Sequence, residues 1–208
     1  MEIYAFGSIV RGEIDIYSDI DILVLKGSDE VLKDLDKEQY SIYTFQRLER
    51  LWKEGNPFAW HLYVESKCLY STNEKSFISL LGEPNPYTSL KSDLKKFHDL
   101  FLESKDSILR NEFSIDFDLS MIFLSIRNFA SCFALGYLKM YEFSRDSALK
   151  INEYSLQIDS EVYERLKQSR LLSTRGVGEA VTDFSLIKIS SELDNIETWF
   201  NRILWMNF

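Results

Sequence analysis

Short apolar runs with strand character dominate the first third of the chain, and helical periodicity dominates the rest. Residues 2–6 form one apolar run that ends at Gly7-Ser8, and residues 20–25 form a second, rich in branched aliphatics that favour a strand. Residues 8–12 fit a helical turn, residues 13–17 an irregular approach, and residues 29–37 alternate charge with Val31, Leu32 and Leu35 at helical spacing. A third strand is expected over 40–45, an amphipathic helix over 46–54 stopped by Gly55-Asn56-Pro57, a helix over 58–65, and a short edge strand over 67–71.

The pattern changes at Gly82 to Pro86. All three prolines lie at or before this point, at 57, 84 and 86, which marks a linker. Helices are expected beyond it over 89–109, 116–141, 161–172 and 183–205, the last with Leu193, Ile196, Phe200 and Ile203 on one face. The pattern predicts an α+β chain: a small mixed-sheet module over 1–85 and an antiparallel helical bundle over 86–208.

Composition adds limits. A hydrophobic content of 45% and an aromatic content of 14% supply a packed core. The net charge of −9 gives no diffuse attraction to nucleic acid or to an anionic membrane. Segment 117–140 is the most apolar, but Asp118, Arg127, Asn128 and Lys139 interrupt it before the roughly 18–20 residues of a span, so it reads as a buried core helix. No signal-peptide pattern opens the sequence, and a cytoplasmic location is expected. Cys68 and Cys132, each in an apolar stretch without paired spacing, are expected to be core residues.

The chemistry sits on the first two strands. Asp19 and Asp21, two apart on a strand, project to one face, with Ile20 and Ile22 expected to pack on the opposite, buried side. Two adjacent carboxylates repel unless a divalent cation neutralises them. Mg²⁺ prefers carboxylate oxygens together with phosphates, and two ions about 3.5–4 Å apart serve an in-line displacement. Gly7 lets the backbone approach a phosphate, the N–H groups of the following turn bind anions, and the Ser8 hydroxyl adds a hydrogen bond. Each half of this constellation is common alone. Their combination, with ten residues between Ser8 and Asp19, is much rarer.

On these residues the sequence resembles the minimal nucleotidyltransferases of the DNA polymerase β-like superfamily, whose signature is Gly-Ser, about ten residues, then Asp-x-Asp. Arg11, Gly12 and Ser18 are common accompaniments in that family. The resemblance covers roughly residues 1–85 and implies transfer of a nucleoside monophosphate, AMP from ATP, to a hydroxyl acceptor. It implies Asp19 and Asp21 as catalytic metal ligands, two Mg²⁺ ions when nucleotide is bound, and Gly7, Ser8, Arg11 and Ser18 as nucleotide-binding residues. Family enzymes usually add a third carboxylate on the next strand. Residues 40–45 contain no acid, and Ser41 or Tyr43 would occupy that position.

Glu65 is the first candidate for the missing base, one helical turn from His61; the alternative is a solvent-facing or capping pair. Glu38 is a weaker candidate. Arg127, in an apolar helix, is either paired internally or a nucleotide contact. Arg175, in a cluster with Ser169, Arg170, Ser173 and Thr174 just after a helix end, is a second such candidate or an ordinary surface residue. Both histidines lack an arginine five to seven residues upstream, which excludes the Arg-x(4–6)-His motif of the HEPN ribonucleases that accompany some family members.

The partners implied are a nucleoside triphosphate and an acceptor that is a small molecule or a protein rather than nucleic acid. No membrane is involved, and a homo-oligomer or a toxin-like partner is compatible. A second reading is a catalytically degenerate, antitoxin-like module that binds a nucleotide or a partner. The aromatic C-terminus, Trp199-Phe200 and Trp205 to Phe208, serves either the bundle core or an interface.

Overall fold

The computed structural model describes residues 1–13, 20–28, 40–110 and 114–206. Asp19, Ser18, Glu38, the helix expected over 29–37 and the final Asn207 and Phe208 lie outside the described residues. The chain divides into two compact units, Met1–Thr88 and Ser89–Phe208.

The first unit is built on a four-stranded mixed sheet of order β3-β2-β1-β4. Strand β1 (Glu2–Phe6) is central, antiparallel to β2 (Asp21–Lys26) and to β4 (Ser66–Ser71); β3 (Ser41–Thr44) adds parallel to β2. Phe6 pairs with both Asp21 and Ser66. The end of β1 and the starts of β2, β3 and β4 therefore gather at one end of the sheet.

Tyr4 and Phe6 of β1 and Leu23 and Leu25 of β2 form a core with Leu48, Leu51 and Trp52 of helix α2 (Phe45–Lys53), Ala59 and Leu62 of α3 (Pro57–Glu65), and Ile78 of α4 (Phe77–Leu81). The single turn α1 (Ser8–Arg11) follows β1. Two expectations are corrected here. Ile20 precedes the strand and is 58% exposed, and the helix-covered core, Leu23 and Leu25, shares the face of Asp21 by the two-residue period. Cys68 is exposed rather than buried, because β4 is an edge strand whose residues 67–70 face solvent; Cys132 is buried.

Local caps fix the helices. The Thr44 hydroxyl accepts from the Arg47 N–H at the start of α2, and Asn56 accepts from Phe58 ahead of Pro57, which needs no donor there. Segment 82–86 is strapped to these helices. Trp52 Nε1 donates to the Gly82 carbonyl, Trp60 Nε1 to the Asn85 carbonyl, and the Asn85 amide to the Lys53 carbonyl. Helix α4 is capped from the far end of the sheet. The buried Glu2 carboxylate accepts from the Phe77 N–H at 2.8 Å, the Ser71 hydroxyl at 2.9 Å and the Tyr4 hydroxyl, whose oxygen accepts from Ile78.

In the second unit, helix α6 (Ile115–Phe133) packs against α5 (Leu90–Arg110) and α7 (Ser160–Arg175), and α8 (Asp183–Leu204) packs against α5 and α7. Phe101, Phe129, Trp199 and Phe200 form its aromatic centre, with ring centroids of Phe129 and Phe200 4.6 Å apart. Leu193, Ile196, Phe200 and Ile203 are buried along α8.

The segment Ile115–Leu138 is long and apolar enough to cross a membrane by length and composition, and 72% of its most apolar window is buried within the structure. It does not run helically to Tyr141. A wider turn over Ala134–Leu138 closes on Lys139, which adopts a left-handed conformation (φ 58°). Residues 173–175 form the last turn of α7 rather than following it.

Candidate functional site

The sheet end shared by β1, β2 and β4 carries the candidate residues. Gly7 takes φ 73° and ψ −144°, a region essentially reserved for glycine. A Cβ at this position would lie 2.5 Å from Asp21 Oδ2, so the carboxylate rests directly on the glycine backbone. The chain then turns through α1, with the Val10 and Arg11 N–H groups donating to the Gly7 carbonyl. The Ser8 hydroxyl oxygen is buried and has no hydrogen-bond partner among the described residues. A buried hydroxyl without a partner is costly, so this atom is chemically ready for a ligand.

Arg11 leaves α1 toward two acids. Its Nε donates to Glu13 Oε2 at 2.8 Å, and its Nη1 donates to Glu65 Oε2. Glu65 closes α3 immediately before β4, and the same Oε2 lies 2.9 Å from His61 Nε2. The pair is not solvent-facing: the side chains of Arg11, His61 and Glu65 are 19%, 12% and 9% exposed. Phe6 and Phe58 meet the His61 ring edge-on, at centroid distances of 5.6 and 6.3 Å. Burial pushes the Glu65 carboxyl up. His61 and Arg11 outweigh that push and hold it below its ordinary value, so it stands ionised between them.

Strand β3 supplies no carboxylate. Its parallel register sets Ser41 beside Leu23 and Tyr43 beside Leu25, on the face that Asp21 shares, and Tyr43 packs on Phe58 at 5.6 Å. Among the described residues no three His, Cys, Asp or Glu side chains gather around a metal-sized space. Asp19, the expected second metal ligand, and Ser18 lie outside the described residues.

The two arginines proposed from the helical half belong to the second unit. Arg127 donates to the Phe143 and Ser144 carbonyls and accepts from the Ser147 hydroxyl through its own carbonyl, so it tethers the 143–147 loop. Both of these acceptors are backbone carbonyls, so the guanidinium is held internally. Arg175 is exposed in the last turn of α7; burial first, and then the charge of Arg175, lower the pKa of Arg170, which donates to Ser120. Sequence reasoning missed Glu13 as a partner of Arg11, although its two-residue spacing was readable. The Arg11–Glu65 pair spans 54 positions and leaves no local signal.

Residues 1–67 match the family model of the nucleotidyltransferase domain. No curated protein matches the sequence. Among solved structures, spectinomycin adenyltransferase of Enterococcus faecialis, crystallised with ATP and spectinomycin, is similar at 15% identity. That similarity covers 97% of this chain and 91% of that one, with a TM-score of 0.49. The matched residues run from β1 through the start of β4 and take in Gly7, Ser8, Asp21 and Glu65. The N-terminal unit of this chain thus carries, over residues 1–67, the stretch that matches a nucleotidyltransferase domain.

Proposed function

We propose that the chain transfers a nucleoside monophosphate, AMP from ATP, to a hydroxyl of a small molecule or protein in a Mg²⁺-dependent reaction. The observation that carries this reading is the Asp21 carboxylate seated on Gly7, next to the buried hydroxyl of Ser8, which has no partner among the described residues. A carboxylate oxygen suits a hard cation, and a buried hydroxyl suits a phosphate oxygen, so these residues fit a metal-bound triphosphate. Asp21, together with Asp19, would hold Mg²⁺, which supplies neutralisation of the triphosphate and polarisation of the transferred phosphoryl group. Ser8 donates to the phosphate, Gly7 allows the close approach, and Arg11 places positive charge beside them.

The net charge of −9 supports an acceptor other than nucleic acid. A second reading, nucleotide binding without turnover in an antitoxin-like module, draws on β3, where Ser41 shares the face of Asp21 and no acid is present.

The test is incubation with Mg²⁺ and labelled ATP, CTP, GTP and UTP, followed by a search for label on the protein itself, lysate proteins, RNA and small molecules. Transfer that is lost in Asp19→Ala and Asp21→Ala is expected. Nucleotide binding without transfer to any fraction favours the second reading, and transfer unchanged in both variants contradicts the assigned site.

A further inference from the structure

A single helical turn does not support itself in water, because fixing its backbone costs more than its first hydrogen bonds return. Helix α1 is such a turn: four residues, none fully buried, with no side-chain cap at its start. Yet it carries Ser8 and follows Gly7, and the site depends on where it lies. Among the described residues, one side-chain hydrogen bond leaves α1 for a distant part of the first unit, from Arg11 to Glu65. Glu65 is well placed to act as an anchor. It sits at the end of α3, immediately before a strand paired directly with β1, and its carboxylate is buried between Arg11 and His61.

We infer that Glu65 is a positioning residue rather than an acceptor-side base: by holding Arg11 it fixes the Gly7–Arg11 turn against Asp21 and so sets the affinity for a nucleoside triphosphate. The geometry argues against the base role. One oxygen, Oε2, is shared by Arg11 and His61, so a substrate hydroxyl would have to compete with two cationic or donor groups for it. An ionised carboxylate held below its ordinary range is also a weaker proton acceptor. This inference rests on the site being a nucleoside triphosphate site.

The experiment is calorimetric titration with ATP and Mg²⁺ at a temperature where circular dichroism shows every variant folded. Glu65→Gln and Arg11→Gln are each expected to weaken ATP binding about ten-fold, a coupling common between contacting residues. The double variant is expected to bind no more weakly than the worse single one, and Glu65→Asp, which keeps the charge, is expected to recover part of the loss. Wild-type affinity in Glu65→Gln, with or without a lowered melting temperature, overturns the inference, as do losses that multiply in the double variant. Absence of ATP binding by the wild type overturns the nucleotide reading itself, a result distinct from either of these.

Discussion

Gly7 and Gly12 both take positive φ, but only Gly7 touches the site. Gly7→Ala sets strain against a clash with the Asp21 carboxylate, and a stability loss of about 1–3 kcal/mol by urea denaturation is expected. ATP affinity should fall with it. Among the described residues nothing lies where a Cβ of residue 12 would go, so Gly12→Ala should cost about 1–2 kcal/mol of backbone strain and leave ATP affinity near the wild-type value. Equal effects of the two changes on ATP binding would contradict the placement of Asp21. At the other end of β1, burial first and then the Glu2 carboxylate push the Tyr4 phenol up to about 12. Its unfolded value is about 10, so the folded state keeps this proton longer. The resulting stabilisation is complete below about pH 10 and disappears as the pH rises toward 12, a loss of roughly 2–3 kcal/mol. Urea denaturation between pH 8 and 11.5 should show this loss in the wild type and not in Tyr4→Phe; equal slopes would remove Tyr4 from the account.

At the scale of elements, the strands and most helices were legible because burial imposes its period on the sequence. The runs at 2–6 and 20–25 became β1 and β2, and the 3–4 spacing of Leu193, Ile196, Phe200 and Ile203 became the buried face of α8. Phe200→Ala should therefore cost the second unit about 3–5 kcal/mol by thermal or urea denaturation, since its ring packs on Phe101, Phe129 and Trp199. A loss below 1 kcal/mol would contradict that core. Elements fixed by distant partners were not legible. Helix α4 starts where Glu2 accepts from Phe77, 75 positions away. The first long apolar helix ends at a left-handed Lys139, a residue type that gives no warning of a stop. The same limit applies to the site. Gly7, Ser8 and Asp21 were readable because their spacing is local to two adjoining strands. The His61–Glu65 pair was readable from its helical spacing, but its link to Arg11 was not, because the β1–β4 pairing brings those parts together.

At the scale of the molecule, the proposed function asks a chain of net charge −9 to bind an anionic triphosphate. Long-range attraction is unfavourable, so affinity would have to come from a few placed groups, of which Arg11 and the cation proposed at Asp21 are the candidates. Arg11 is already shared by Glu13 and Glu65, so the proposed divalent cation would carry the larger share of the neutralisation. The most direct test is therefore calorimetric titration of the wild type and of Asp21→Ala with ATP, with Mg²⁺ and with chelator. The account predicts saturable binding by the wild type only when Mg²⁺ is present, weakened at least about ten-fold in Asp21→Ala. ATP binding that ignores both Mg²⁺ and Asp21, or no binding by the wild type, would contradict it.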